Sequence, residues 1–508
     1  MTEHRPLTSK HVRVAIVGTG FAGLGMAIRL RQEGEEDFVL LERAADIGGT
    51  WRDNTYPGCR CDVPSHLYSF SFAPNPDWSS TFSPQPEILD YLKDCAERYG
   101  VTPHIRFETE LESASWDDDD GLWRIETSSG AMTADILIAA QGPLSDPSLP
   151  EVPGIESFEG KMFHSAQWDH DHELEGERVA VIGTGASAIQ FVPEIQPKVA
   201  KLHVFQRTAP WVIPHRNRAM KRWERALYRL FPPAQLAMRA AIYWARESFV
   251  LQFRHRAIGK LLERIPMMHM KKQIEDPELR RKLTPDYSIG CKRILPTNEW
   301  YPALAQPNVE VIAGGLTEVR PRSVVAEDGS EREVDTIVFG TGFHVTDVPI
   351  ADRVTGRDGR TLTETWNGSM QAYKGTTVAG YPNLFFLVGP NTGLGHTSIV
   401  FVIESQIAYV LDALRTMRRR GARTLEVREE AQRAYNAELD RMTEGTVWVS
   451  GGCTSYYIDR NGHNSALWPT YTWPFRRRLR EFDAAEYALG PRVPLARGGR
   501  ELASAAHA

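Results

Sequence analysis

Long hydrophobic runs, paired cysteines and a large excess of either charge are all missing from this sequence of 508 residues. No apolar stretch approaches the ~20 residues of a membrane-spanning helix, and the N-terminal MTEHRPLTSK has no apolar signal region. The five cysteines are odd in number and show no paired spacing. The formal net charge of −6 gives no general reason to expect nucleic acid or an anionic membrane as a partner. These features predict a cytoplasmic protein that binds neither.

The length of the chain excludes a single hydrophobic core. Two or three domains are expected, each large enough to enclose a cofactor. The hydrophobic share of 42% is typical of a globular protein. Neither a metal-ligand cluster nor a Ser-His-Asp set is evident in the sequence, so no metal site is predicted.

A glycine-rich turn follows the first apolar strand. The segment VRVAIVGTGFAGLGMAIRL, from Val12, places Gly18, Gly20 and Gly23 between a strand and a helix. The first glycine permits the turn, the second lets the backbone approach a pyrophosphate, and the third permits close packing of the helix. A later strand ends in Glu42, an acid that can accept hydrogen bonds from a ribose. The segment predicts a dinucleotide-binding site.

The same pattern recurs in RVAVIGTGASAIQFV, with Gly183, Gly185 and Ala188. The following strand, KLHVFQRT, carries Arg207 and Thr208 where a site for NAD would carry an acid. An arginine at this position can pair with a 2′-phosphate. The second site is therefore predicted to prefer NADPH.

Three further segments, 134–143, 334–343 and 383–396, look like strands that end in glycine turns, so the chain is expected to leave and re-enter its first domain. The predicted class is α/β, with two Rossmann-like domains and a helical insertion. The FAD-binding domain would comprise 11–145 and 346–508, and the NADPH-binding domain 146–211 and 291–345. Residues 212–290 would form the insertion, with their methionines and aromatic residues in its core.

Between the two glycine motifs lies a loop-like segment, FEGKMFHSAQWD (158–169), without the period of a strand or a helix. It resembles the fingerprint of the type I Baeyer-Villiger monooxygenases, Phe-x-Gly-x-x-x-His-x-x-x-Trp followed by Pro or Asp. A second segment, GGTWRDNTYPGCRCD (48–62), is similar to another signature of that family. The resemblance extends from about residue 11 to residue 480.

This resemblance implies an enzyme that uses FAD, NADPH and O₂ to convert a ketone into an ester or lactone through a flavin C4a-peroxide. It places the catalytic arginine in YSIGCKRILPTNEWY, at Arg293, where a permanent positive charge can hold an oxygen anion. Asp62 would orient that arginine, and Lys292 would join the two residues after the second strand on the 2′-phosphate. Trp51 would contribute to cofactor binding.

For the fingerprint itself the resemblance implies a role in coupling the two domains. Gly160 would provide a bend, Trp168 would pin the segment to the domains, and His164 would respond to their relative motion. Two departures from the family pattern stand out: Ala188 closes the second glycine motif, and Tyr456 stands where the family often has a tryptophan.

Other functions stay open at this point. A flavin-containing monooxygenase that oxygenates nitrogen or sulfur has a similar layout, although its fingerprint lacks the Trp-Asp ending. A flavin disulfide reductase would need a redox pair with the spacing Cys-x-x-Cys or wider, whereas Cys59 and Cys61 are separated by one residue inside a signature segment. A non-catalytic NADPH sensor is the third alternative. The ketone and the oligomeric state cannot be read from the chain, although the C-terminal segment resembles shorter family members and hints at open-chain ketones.

Overall fold

The structure, a computed structural model of the chain, describes residues 11–453, 455 and 457–490. Tyr456, which replaces the common tryptophan of the family, lies outside these residues. Within these ranges, no helix combines the length and the apolar character that crossing a bilayer requires.

The strands run in chain order as follows: β1 His11–Val17, β2 Phe38–Leu41, β3 Ile105–Arg106, β4 Leu111–Asp117, β5 Leu122–Thr127, β6 Gly130–Ala139, β7 Lys161–His164, β8 Arg178–Ile182, β9 Lys201–Gln206, β10 Val212–Ile213, β11 Leu295–Pro296, β12 Val309–Ala313, β13 Leu316–Arg320, β14 Ser323–Ala326, β15 Glu331–Glu333, β16 Thr336–Phe339, β17 Val354–Thr355, β18 Leu384–Phe386, β19 Leu425–Val427 and β20 Tyr487–Leu489.

The helices are α1 Phe21–Gln32, α2 Thr50–Asp53, α3 Gln85–Arg98, α4 Ala188–Ile195, α5 Arg222–Leu230, α6 Pro232–Glu247, α7 Val250–Arg254, α8 Arg256–Leu262, α9 Arg264–Gln273, α10 Pro277–Lys282, α11 Trp300–Leu304, α12 Ile350–Arg353, α13 Leu362–Trp366, α14 Ile399–Arg420, α15 Glu429–Thr443, α16 Val447–Ser450 and α17 Thr472–Arg478.

The first large sheet has the strand order β17-β4-β5-β6-β1-β2-β3, and β18 also pairs with β6. Its centre is parallel, with Val14 of β1 opposite Phe38 of β2 and Ile136 of β6. These strands read as almost continuous apolar runs because the sheet is buried on both faces. The chain leaves this sheet after β6 and returns to it only with β17 and β18.

The second large sheet has the order β12-β9-β8-β16-β7, and all of its pairs are parallel. Its strands belong to residues 161–339, between the two parts of the first sheet. Helix α4 connects β8 to β9, as in a βαβ unit. The predicted α/β class, with two Rossmann-like sheets and a helical insertion, is confirmed. The boundaries that the sequence assigned to the domains stay a prediction.

The fingerprint segment is more regular than its sequence suggests. Residues 161–164 form the edge strand β7, which pairs in parallel with β16 and sets His164 opposite Phe339. The prediction of a loop-like segment was therefore wrong for these four residues. An edge strand pairs on one side only, so a short one needs no alternation of apolar side chains to form.

The helical insertion forms as predicted, with α5 to α10 between β10 and β11. The expected burial of its methionines and aromatic residues was wrong for several of them. Trp223 and Trp244 are each 61% exposed, and Met268 is 55% exposed. The sequence pattern identified amphipathic helices but not which of their faces packs inward.

Cys291 and Cys453 form a disulfide. The sequence had suggested that no cysteines are paired, and this expectation was wrong for these two. They stand 162 residues apart, so their spacing carries no local signal. Cys59, Cys61 and Cys95 are free and buried.

Asn383 fastens the returning segment to the first sheet. Its side-chain amide donates to the carbonyl oxygens of Asp135 and Arg423 at 2.8 and 3.1 Å, and its oxygen accepts from the backbone N–H of Leu425 at 2.8 Å. The residue is 1% exposed and has a positive φ of 56°. Its side chain therefore satisfies three backbone groups at the point where β18 joins β6.

We expect Asn383→Gly, which tolerates the positive φ but loses these hydrogen bonds, to lower the free energy of unfolding by about 2–4 kcal/mol. Asn367→Gly is the matched control, because Asn367 has a φ of 44° but is exposed. Urea titration of both variants gives the comparison. Equal effects would mean that the backbone conformation, and not the side-chain amide, fixes this junction.

Candidate functional site

The turn after β1 fits a pyrophosphate. Gly18 has a φ of +101°, and a Cβ at this position would lie 2.9 Å from the carbonyl oxygen of Ala140. A Cβ at Gly23 would collide with the carbonyl oxygen of Gly18, so α1 packs directly against the turn. At Gly20 the nearest atom is 3.9 Å away. The turn therefore has space only at its middle glycine, immediately before the N-terminus of α1, where an anion is stabilised.

Glu42, at the end of β2, is 4% exposed and held by several partners. Thr19 donates to one carboxylate oxygen through its backbone N–H at 3.2 Å and its hydroxyl at 2.5 Å. The backbone N–H of Ala44 and the guanidinium of Arg52 contact the other oxygen at 3.0 and 2.7 Å. A carboxylate offers about four acceptor positions, and these four contacts use them, so they orient the side chain and a ribose hydroxyl would share or replace one of them.

The second turn has the same construction between β8 and α4. Gly183 has a φ of +111°, and a Cβ there would lie 2.5 Å from the carbonyl oxygen of Gly340. At Gly185 the same oxygen is 3.9 Å away, so this position is open. Ala188 is fully buried as the first residue of α4, and a Cβ at Gly340 would meet its methyl group at an ordinary 3.5 Å. The fold thus accommodates the alanine that replaces the third glycine.

One cavity of about 700 Å³ joins the two turns. Half of the residues that the sequence singled out line it, and those that do are Gly18, Gly20, Glu42, Trp51, Asp62, Gly185, Arg207 and Arg293. The other eight do not line it, and they are Gly23, Gly160, His164, Trp168, Gly183, Ala188, Thr208 and Lys292. The space is large enough for two extended ligands that meet, and it is open to solvent.

Asp62 and Arg293 form an ion pair in this cavity. Nε and Nη2 of Arg293 both donate to Oδ2 of Asp62, at 2.8 and 2.5 Å. Burial alone would raise the pKa of Asp62, but the charge and hydrogen bonds of Arg293 hold that pKa below its ordinary value. The arginine side chain remains 38% exposed. The pair is therefore ionised, and its positive member faces the cavity.

A second arginine, which the sequence did not single out, supports this pair from the helical insertion. Nη2 of Arg246, near the end of α6, donates to the backbone carbonyl oxygen of Asp62 at 2.9 Å. Burial lowers the pKa of Arg246, and the charge of Asp62 opposes this effect. The only sequence signal was a cation in an amphipathic helix. The sequence did not reveal that Arg246 points toward Asp62, because the inward face of α6 is polar.

Two cations meet beside the second turn. Burial and then the nearby charge of Arg207 lower the pKa of Lys292. The Nζ atom of Lys292 lies 5.3 Å from the ring centre of Tyr287, and Thr208 accepts a hydrogen bond from Thr184 through its carbonyl oxygen. In the described part of the chain, neither cation forms an ion pair with a carboxylate. Two neighbouring cations, Arg207 and Lys292, are a fitting environment for a phosphate group.

The fingerprint lies against the wall of the cavity. His164 is 1% exposed, its Nδ1 accepts from the backbone N–H of Ala166 at 3.1 Å, and its ring meets Phe343 edge-on. Burial lowers the pKa of His164 to about 4, so the ring is neutral near pH 7. A Cβ at Gly160, in the bend before β7, would collide with the carbonyl oxygen of Asp335. The histidine does not line the cavity itself but contacts Phe343, which does.

Trp168 starts an aromatic path between the two halves of the site. Its ring lies 5.3 Å from Phe191 of α4, and Phe191 lies 6.0 Å from Tyr56. Gln190 reinforces this junction, because its side chain bonds the Tyr56 hydroxyl at 3.0 Å and the backbone of Arg60 at 3.2 and 3.1 Å. The two signature segments of the sequence therefore both contact α4, through the ring of Phe191.

Comparisons with known proteins agree with this geometry. Residues 11–355 match the family model described as flavin-binding monooxygenase-like. A protein of Streptomyces coelicolor named Baeyer-Villiger monooxygenase is 54% identical over 96% of this chain and 94% of its own length. A closed crystal structure of cyclohexanone monooxygenase superposes with a TM-score of 0.85 at 29% identity, over 95% of this chain and all of that one.

A further solved structure, described as OTEMO in complex with FAD and NADP, has a TM-score of 0.85 at 26% identity. It covers 94% of this chain and 99% of that one. Its two ligands are of the class that the two glycine turns of this chain fit.

Cys59 and Cys61 lack the properties of a redox pair. Both are buried, and burial raises the pKa of both thiols, to about 12 for Cys59. At about pH 8 only ~10⁻⁴ of such a thiol is ionised, and the thiolate is the reactive form. A disulfide reductase would need at least one accessible thiolate here.

We therefore expect the native chain to show no fast reaction with Ellman's reagent near pH 8. Unfolding in guanidinium should expose the three free thiols, and reduction should release the remaining two. Fast reaction of one or two thiols in the native protein, traced by mass spectrometry to Cys59 or Cys61, would contradict this and revive the reductase alternative.

Proposed function

This chain belongs to the Baeyer-Villiger monooxygenases within the flavin-binding monooxygenase-like family, and we propose that its reaction depends on the ion pair of Asp62 and Arg293. The enzyme uses FAD and NADPH to insert one oxygen atom of O₂ beside a ketone carbonyl, which gives an ester or lactone. The observation that carries the proposal is the position of this pair, in the cavity that joins both glycine turns.

The first turn and Glu42 would hold FAD, with Trp51 in the wall of the same cavity, and the second turn with Arg207, Thr208 and Lys292 would hold NADPH. When bound, NADPH supplies hydride to the flavin, and the reduced flavin activates O₂. The polypeptide contributes binding, orientation and charge. Closely packed turns, fixed carboxylates and paired cations are the features that support these assignments.

Arg293 would stabilise negative charge on oxygen. When an oxygen nucleophile adds to a ketone, charge develops on the carbonyl oxygen, and a guanidinium stabilises it without giving up its proton. Both hydrogen bonds to Asp62 come from one edge of the arginine, which fixes the plane of the guanidinium. Asp62 would thus be a positioning residue, and Arg246 would hold the backbone of Asp62 in place.

Oxidation of nitrogen or sulfur, the alternative function, makes a different demand on the site. A thioether or amine attacks an electrophilic oxygen and develops no negative charge on a carbonyl oxygen. The ionised Asp62–Arg293 pair therefore favours ketone oxygenation on chemical grounds.

We expect Arg293→Ala to accept hydride from NADPH at a rate near that of the wild type but to lose ketone conversion by roughly 10²–10³-fold. Oxidation of a thioether should decrease much less. Arg293→Lys keeps the charge but loses the planar donor pair, so its ketone activity should be intermediate. Stopped-flow flavin reduction and product analysis for one ketone and one thioether give these rates.

Ketone conversion by Arg293→Ala near the wild-type rate would refute the role of Arg293 while leaving the reaction itself intact. A wild-type enzyme that oxygenates only the thioether or an amine would refute the function. The two failures are distinguishable because the first requires the variant and the second does not.

Arg207→Ala should raise the KM for NADPH by roughly tenfold or more, since a hydrogen-bonded ion pair with the 2′-phosphate is lost. The KM for NADH should change little. Lys201→Ala is the matched control, because Lys201 is a cation at the other end of the same strand, β9. Equal effects of Arg207→Ala on both cofactors would show that Arg207 does not contact the 2′-phosphate.

A further inference from the structure

The helical insertion presents large apolar side chains to solvent. On α5, Trp223, Leu227 and Leu230 follow helical spacing, so they share one face, and they are 61%, 39% and 85% exposed. On α6, Leu236 and Trp244 lie two turns apart on one face and are 48% and 61% exposed. The apolar exposure continues along the insertion at Phe231, Leu251, Leu261, Ile265 and Met268. Contiguous apolar surface of this kind marks an interaction site.

The buried side chains of α6 are polar, whereas α5 and α7 also bury Tyr228, Val250 and Phe253. On α6, Gln235 is 4% exposed and donates to His66 Nδ1 and the carbonyl oxygen of Asn75. Glu247 is 1% exposed and accepts from the backbone N–H and hydroxyl of Thr472 at 2.8 and 2.6 Å. A helix that packs only on its own protein has the opposite arrangement, with the apolar face inward. The outward face of these helices is therefore the one that lacks a partner within the described part of the chain.

Exposed cations outnumber exposed acids along the helices that carry this apolar face, and Arg229 pairs with Asp77 of the neighbouring segment. The exposed cations of the insertion include Lys221, Arg222, Arg229, Arg254, Lys260 and Arg264. Of the acids within residues 221–272, Glu224 and Glu247 are buried and Glu263 is half-buried, whereas the exposed acids of the insertion, Glu275, Asp276, Glu278 and Asp286, follow this range. Across residues 221–272, every one of which the structure describes, no acidic side chain is exposed.

The charge of this surface decides among the possible occupants. A second copy of the chain in a twofold contact would bring cations against cations. The C-terminal segment 491–508 has three arginines and one glutamate, so it is also cationic. An anionic phospholipid surface offers acyl chains to the apolar side chains and negative headgroups to the lysines and arginines.

We propose that the outward face of residues 221–272 binds the surface of a bilayer that contains anionic phospholipid. The helices lie on the membrane and do not cross it, since none of the described helices has the length and apolarity for a span. The overall charge of −6 had predicted no membrane partner. That total conceals the local excess of cations, and the apolar pattern alone did not reveal which helix faces are exposed.

The test uses the full-length protein with FAD bound, in flotation assays with two kinds of vesicle. One is phosphatidylcholine alone, and the other contains equal parts of phosphatidylcholine and phosphatidylglycerol. We expect binding to the second kind only, with affinity that decreases as salt increases, because screening weakens the contacts with headgroups.

Two sets of substitutions separate the apolar from the electrostatic contribution. The triple variant Trp223→Ser, Leu230→Ser, Trp244→Ser and the triple variant Arg222→Glu, Lys260→Glu, Arg264→Glu should each bind at least about tenfold more weakly. All six positions are exposed and none lines the cavity, so flavin content and activity on a water-soluble ketone should be unchanged. These two readouts also verify that each variant has folded.

Matched controls alter the same kinds of side chain elsewhere. Leu149→Ser, at a residue that is 53% exposed, and Arg433→Glu, on α15, should bind vesicles like the wild type. Equal binding by the serine variant and the wild type, or equal binding to both kinds of vesicle, would overturn the proposal. A third outcome would also overturn it: the wild type does not bind vesicles and is a dimer by light scattering, whereas the serine variant is a monomer. That result would assign the face to a second copy.

Discussion

The ion pair between Asp62 and Arg293 is the interaction around which the rest of the site is arranged. The two residues stand 231 positions apart, one in the segment after the first glycine turn and the other just beyond the helical insertion. They can meet only if both sheets, the insertion and the connections between them are in their final positions. Separating the two residues would leave a half-buried charge unpaired, which is costly, so the pair also opposes any arrangement that separates the two halves.

Much of the fold was accessible from the sequence because its signals are local. Each glycine turn lies between a strand and a helix, and the structure reproduces both units with an open middle glycine at Gly20 and Gly185. The contact of Asp62 with Arg293 came from family resemblance rather than from spacing. Their functional roles, and those assigned to His164 and the cofactor ligands, remain predictions.

The features that the sequence did not reveal depend on tertiary context. Strand β7 forms because β16 offers it a backbone partner, which no local pattern records. Arg246 reaches Asp62 because α6 turns its polar face inward, and an amphipathic pattern does not identify which side faces the protein. A helix with its polar face inward resembles an ordinary surface helix in sequence and differs only in what it leaves to the solvent.

The disulfide of Cys291 and Cys453 closes the polypeptide into a covalent ring. Arg293 lies in this ring, two residues after Cys291. Strands β16, β17 and β18 also lie in it. The segment that leads from the second sheet back to the first is thus held at both ends by the disulfide. A single proteolytic cut between residues 292 and 452 would open the ring without releasing either fragment, because the disulfide would still join Cys291 of one fragment to Cys453 of the other.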